Sequence, residues 1–220
     1  MLQPNTVVEV GTYRGYAACY MARAIQENNR GKLYCIDDFS ESMQKPTTPD
    51  EWHENLLACG VRDWATLLVG RSDKIKWPEN VDLAYIDGWH SYAAVHGDFR
   101  KCAMLGASVI CLDDTTYAIG PRQFVADLQR PKKKGTGNGK WTEIEGLSWP
   151  DHDIPGEWNV LEFFSDHGLA VCVRKSNRPC VHFSQELAGK GQEIENDKLL
   201  EHLMAAKAVT GIDYWAMGSG

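Results

Sequence analysis

The chain has 220 residues, 43% of them hydrophobic and 24% charged, with a formal net charge of -7. This suits one soluble α/β domain with a core large enough to fold unaided. The acidic balance argues against non-specific nucleic-acid binding, which needs a basic surface, and no apolar run approaches the roughly 20 residues that would span a bilayer. Apolar runs and helical stretches then alternate from the start. Thr6–Val10 reads as a strand, and Tyr16–Asn29 as a helix with Ala17, Met21, Ala24 and Ile25 on one face and Gly31 placed to end it. Leu33–Ile36 is a second strand. Asp50–Cys59 is a helix with Thr48 as N-cap and Pro49 at its first position. Ala65–Val69 and Leu83–Ile86 are strands, Tyr92–Met104 a helix, Ser108–Leu112 a strand and Gly120–Leu128 a helix. The strands are continuous apolar runs, as expected of a parallel sheet covered by helices on both faces.

The pattern changes at Arg130, where a basic, glycine-rich stretch predicts a flexible loop, open either to an anion-clamp role or to plain solvation. Trp158–Phe164 and Leu169–Arg174, separated by Gly168, predict an antiparallel hairpin that closes the sheet. The expected fold is therefore a Rossmann-like, doubly wound, mostly parallel seven-stranded sheet with an antiparallel terminal hairpin. One further helix is predicted at Asn196–Val209. Its stripe of Leu199, Leu200, Leu203 and Met204 is narrow and would pack on the domain or on a second subunit, forming a homo-oligomer. The opening Met-Leu-Gln-Pro-Asn-Thr has no basic region followed by an apolar one, so no secretory signal is expected. The 7 cysteines lack C-x-x-C spacing. Reduced thiols in a cytoplasmic protein are the expectation.

The ends of the strands carry the chemistry. The first ends in Glu9-Val10-Gly11 and its helix begins by Gly15, so a glycine turn and a helix start offer backbone N–H groups to a ligand. A parallel sheet binds ligands beyond the carboxyl ends of its strands, and Asp37 closes the second strand where it can accept from ribose hydroxyls. The spacing G-x-x-x-G is not the dinucleotide fingerprint G-x-G-x-x-G, because position 13 is Tyr. A bulky Tyr13 would crowd a pyrophosphate, whereas a methionine-type cofactor brings none. A plain tight turn explains the same two glycines.

Strand four ends in Asp87-Gly88-Trp89-His90 and strand five in Asp113-Asp114. Neighbouring strands lie about 4.8 Å apart, so Asp87, Asp113 and Asp114 are expected to converge. Three carboxylates held together repel one another, and a hard divalent cation, Mg²⁺ by preference, would neutralise them. Helix capping or cofactor bonding is the alternative for one or two of them. His90 would stand at the pocket mouth as a proton acceptor. The remaining histidines, His167 among them, read as structural.

The run Val8-Glu9-Val10-Gly11-Thr12-Tyr13-Arg14-Gly15-Tyr16, with Asp37, Gly70-Arg71-Ser72 and the block Asp82–Tyr92, resembles the class I S-adenosylmethionine-dependent small-molecule O-methyltransferases. Within them it looks like the macrocin-type and catechol-type group, its D-G-x-H-x-Y block being the most specific part. The resemblance covers about Thr6 to Lys175 and makes 1–175 the methyltransferase domain, 130–157 its lid and 176–220 a helical extension. It implies that Glu9, Gly11, Thr12, Tyr13 and Gly15 line the methionine part of S-adenosylmethionine. Asp37 would hold the ribose, Ser72 would lie near the adenine, and Asp87 would adjoin the cofactor. Asp87, Asp113 and Asp114 would bind the metal, and His90 would be the general base. The implied substrate is a sugar, glycoside or catechol-like small molecule. An iron-using oxygenase of the same fold and a non-catalytic cofactor-binding module are the alternatives. Ala17 stands where the family often has Ser, and Leu105-Gly106-Ala107-Ser108 replaces its usual Pro-Gly-Gly. The chain opens almost at strand one, so Phe39–Trp52, Arg130–Glu157, the tail or a partner would replace the N-terminal helices that cover the family's active site.

Overall fold

The computed structural model describes residues 3–40, 47–129, 154–164 and 166–175. The chain divides into Met1–Lys175 and Ser176–Gly220. The helix expected at Asn196–Val209 and the loop from Arg130 lie outside the described residues.

Among the described residues seven strands form one sheet: β1 (Thr6–Val10), β2 (Lys32–Asp37), β3 (Ala65–Val69), β4 (Leu83–Ile86), β5 (Val109–Asp113), β6 (Trp158–Phe163) and β7 (Leu169–Arg174). Their order is β3-β2-β1-β4-β5-β7-β6. The first five pair in parallel, and β7 runs antiparallel to both β5 and β6. The order reverses between β1 and β4, the kind of switch point at which open α/β sheets bind ligands. Among the described residues four α-helices connect the strands: α1 (Tyr16–Glu27), α2 (Pro49–Ala58), α3 (Tyr92–Met104) and α4 (Ile119–Gln129).

Alternation along the strands divides the core between the two faces. Val8, Val10 and Ile36 pack with Phe99, Phe124 and Trp158 on the side of α3 and α4. Val7, Leu33 and Cys35 pack with Ala18, Ala22, Ile25, Trp52 and Leu56 on the side of α1 and α2. The buried stripe of α1 is thus Ala18, Ala22 and Ile25, one step round from the expected face, and Ala24 is exposed. Alanine at 18 and 22 lets the helix backbone approach the sheet.

Helix α2 starts as its sequence predicts. The Thr48 hydroxyl accepts from the Glu51 N–H at 3.3 Å, the Glu51 carboxylate accepts from the Thr48 N–H at 3.1 Å, and Pro49 follows. This capping box satisfies two donors that the helix cannot use. The cysteines at 19, 35, 59, 102, 111 and 172 are free thiols. Among the described residues no helix is long and apolar enough to cross a membrane.

Candidate active site

The loop after β1 is shaped by its neighbours. Gly11 has φ of 84°, and a Cβ there would lie 2.0 Å from the Asp87 carbonyl oxygen. The turn after β4 therefore presses on the turn after β1, and the Asp87 N–H donates to the Val10 carbonyl at 2.8 Å. Gly15, with φ of 80°, faces Leu56 and Trp52 of α2 at distances only a glycine allows. Tyr13 is left-handed as well, and its N–H donates to Asp37 Oδ2 at 2.8 Å. The other Asp37 oxygen accepts from the Phe39 N–H at 2.8 Å. Helix α1 begins without a side-chain cap and without an acidic residue in its first turn. Its start suits an anionic group.

Beneath this loop lies Glu9, fully buried. Burial pushes its carboxyl up to about 7, against the opposing hydrogen bonds of Thr12 and Cys35. Oε2 has no partner, so a buried carboxylate oxygen is left unsatisfied, a costly condition that a bound cationic group would relieve. Thr12 is buried, and its hydroxyl accepts from the Trp52 indole at 2.9 Å. Ser72 lies in a polar cluster: its carbonyl accepts from the Trp77 indole at 2.9 Å and from Lys101 Nζ at 2.8 Å, while its hydroxyl bonds Asp98.

At the ends of β4 and β5 the side chains of Asp87, His90 and Asp114 converge, each offering one ligand atom within 4.8 Å of the other two. His90 Nε2 lies 3.4 Å from Asp87 Oδ1 and 3.1 Å from Asp114 Oδ2. Ionised carboxylates only accept, so these contacts suit the form of His90 with a proton on Nε2. Burial raises the Asp87 carboxyl to about 6, partly offset by the hydrogen bond from His90. The bond to Asp87 raises the imidazole's affinity for a proton, against partial burial. Asp114 is buried and left-handed, with φ of 57°.

Asp113 lies outside this group of three. Its Oδ2 accepts from the Tyr85 hydroxyl at 2.5 Å, and its Oδ1 from the Asp114 N–H at 2.9 Å. His167, read from sequence as structural, reaches the site instead: its Nδ1 lies 3.1 Å from Asp114 Oδ1. The signal available in the sequence was the hairpin, because a β7 antiparallel to β5 puts the β6–β7 turn beside the end of β5.

Residues 8–115 match the family model described as a methyltransferase domain. Solved structures share the fold. The O-methyltransferase TomG from Streptomyces achromogenes, determined with S-adenosylmethionine, is 16% identical with a TM-score of 0.51, over 79% of this chain and 74% of that one. Cofactor-bound Rv0187 from MTB is 18% identical with a TM-score of 0.52, over 80% and 75%. The Podospora anserina methyltransferase PaMTH1, bound to S-adenosylhomocysteine, is 14% identical with a TM-score of 0.51, over 79% and 73%. With its switch point between β1 and β4 and a glycine loop packed on the Asp87 turn, this chain carries a methyltransferase domain of the class I S-adenosylmethionine-dependent fold.

Proposed function

We propose that the protein transfers the methyl group of S-adenosylmethionine to a hydroxyl of a small molecule, a sugar, glycoside or catechol, with the help of a divalent cation. The observation that carries this reading is the convergence of His90 with Asp87 and Asp114 next to the cofactor loop.

The residues present fit both groups. The uncapped start of α1 suits the methionine carboxylate, the orphaned oxygen of Glu9 suits a cationic neighbour, and Asp37 keeps lone pairs for the ribose. Asp87 and Asp114 supply two carboxylates, as Mg²⁺ sites commonly do alongside water. Asp113 supports the pair by holding the backbone of Asp114. A cation held there would acidify a bound hydroxyl, and vicinal hydroxyls are the acceptor chemistry that would suit it.

His90 is anchored through Nε2–H, which leaves Nδ1 to take the proton of the acceptor hydroxyl. The new carbon–oxygen bond forms in line as the carbon–sulfur bond breaks, and S-adenosylhomocysteine leaves. Fixing donor and acceptor in that line is the contribution of the loop and of the acidic group.

The test is transfer from S-adenosylmethionine with a labelled methyl group to a panel of catechols and diol-bearing sugars, with Mg²⁺ and then with chelator. Labelled methyl ethers that disappear on chelation and return with Mg²⁺ are expected. Transfer that ignores the chelator would remove the cation from the reading, and label found only on nitrogen or carbon would remove the hydroxyl acceptor. Stoichiometric iron with oxygen-dependent turnover would favour the oxygenase alternative.

A further inference from the structure

We propose that His167, on the turn between β6 and β7, is a positioning residue for the acidic group: it holds one oxygen of Asp114 so that the other faces Asp87 and His90. The proposal rests on the cation-assisted reading above.

The two oxygens of Asp114 are divided between two imidazoles. Oδ1 lies 3.1 Å from His167 Nδ1, and Oδ2 lies 3.1 Å from His90 Nε2. A carboxylate rotates about its last bond unless both oxygens are engaged. With His167 Nδ1 on Oδ1 and His90 Nε2 on Oδ2 both oxygens are engaged, and the His167 contact restrains where Oδ2 points. Ligating carboxylates depend on such outer partners for their orientation.

The turn that carries His167 is held from several sides, while the imidazole itself is 63% exposed. Its ring stacks on Tyr117, with centroids 4.7 Å apart and planes 17° from parallel. Its carbonyl accepts from the Thr116 N–H at 2.8 Å and the Tyr117 N–H at 3.1 Å. On either side, the Asp166 carbonyl accepts from the Thr116 hydroxyl at 3.1 Å and the Gly168 carbonyl from the Thr115 N–H at 3.3 Å. Gly168 sits so close that a Cβ would lie 2.7 Å from the Thr116 nitrogen. Asp114, Asp166 and Gly168 all adopt left-handed backbone at this one contact. Non-glycine residues hold that conformation where surrounding structure enforces it, a feature that clusters at functional sites. The hairpin thus delivers an imidazole to the acidic group as well as closing the sheet.

The experiment separates the donor from the ring. His167→Asn places an N–H near the position of Nδ1, His167→Phe keeps a ring for Tyr117 without a donor, and His167→Ala removes both. The full chain and each variant are titrated with Mn²⁺, followed by electron paramagnetic resonance, and with S-adenosylhomocysteine by calorimetry. The Phe and Ala variants are expected to bind Mn²⁺ about 10–100-fold more weakly, the Asn variant within about threefold of the parent, and all of them S-adenosylhomocysteine as the parent does. Parental Mn²⁺ affinity in the Phe variant would overturn the proposal. So would an Asn variant as weak as the Phe variant, or an equal loss of S-adenosylhomocysteine binding, which would assign His167 to the fold. If the parent binds no Mn²⁺, the cation reading itself fails and this role of His167 falls with it.

Discussion

Tyr13 donates its backbone N–H to Oδ2 of Asp37 at 2.8 Å, so the glycine loop after β1 is tied to the end of β2. The side chain expected to hold the ribose therefore also shapes the loop expected to hold the methionine part. Asp37→Ala removes both contributions. Its affinity for S-adenosylhomocysteine is expected to fall by about 1.5–3 kcal/mol, the range for hydrogen bonds to a charged group. Calorimetry measures this, and unchanged affinity would take Asp37 out of the cofactor site.

Glu9 gives the folded protein a pH dependence. Its folded value of about 7 lies above the 4.5 of an ordinary glutamate, so between these pH values the folded state binds the extra proton. Stability then falls as pH rises through that window, and above about pH 7 the whole penalty of the buried charge is present. A gap of this size corresponds to about 3 kcal/mol. Denaturant titrations of the parent and of Glu9→Gln, without ligand, should show the parent losing about that much relative to the variant between pH 5 and pH 8. A constant difference across that range would mean that Glu9 does not titrate there.

Gly11 and Gly60 both have positive φ, yet they should respond differently to alanine. Nothing lies within 4 Å of a Cβ at Gly60, so only backbone strain is expected, about 1 kcal/mol. At Gly11 the new carbon would collide with the Asp87 backbone as well. Gly11→Ala should cost about 3 kcal/mol or more, and should disturb the cofactor loop and the Asp87 turn together. Equal unfolding midpoints for the two variants would contradict this account of the loop.

Much of this was legible in the sequence because parallel strands buried on both faces leave continuous apolar runs. Ala65–Val69, Leu83–Ile86 and Tyr92–Met104 fall where patterning puts them. The face of α1 was displaced because Ala17, Ala18, Ala22 and Ala24 are indistinguishable as apolar letters, and only the packing against Trp52 and Leu56 chooses among them. Asp87 and Asp114 were found as strand-end acids. The diversion of Asp113 to Tyr85 depends on the register between β4 and β5, where Tyr85 pairs with Cys111. His167 depends on the register of β7, where Leu169 pairs with Asp113. Composition and periodicity carry no information about either register.

The different settings of the adjacent aspartates give a comparison of two conservative changes. Asp114 offers Oδ2 to the group of three, while both oxygens of Asp113 are engaged elsewhere. Asp114→Asn should lower Mn²⁺ affinity by about 10-fold or more, and Asp113→Asn by less, in line with a supporting position. The reverse order in a Mn²⁺ titration would return Asp113 to the metal-ligand set.

His90 gives the sharpest expectation of the proposed reaction. Its Nε2 is anchored between Asp87 and Asp114, and these carboxylates, with the bond to Asp87 foremost, raise the imidazole's affinity for a proton. A cation on the same carboxylates would act in the opposite direction. Activity is therefore expected to rise with pH as the imidazole becomes neutral, and the rise should shift to lower pH when cation is saturating. Removing a general base typically costs about 10²–10⁴-fold. His90→Ala should lose turnover on that order while binding S-adenosylhomocysteine as the parent does, because none of the cofactor loop rests on this side chain. His90→Gln retains a side-chain N–H for the aspartates but has no nitrogen able to take a proton near neutrality, so it should be as inactive as the alanine variant. Turnover of both variants on an accepted acceptor, measured beside calorimetry, decides the matter. If both stay within about threefold of the parent, far less than general-base loss costs, His90 is an ordinary turn histidine and the proton leaves by another route.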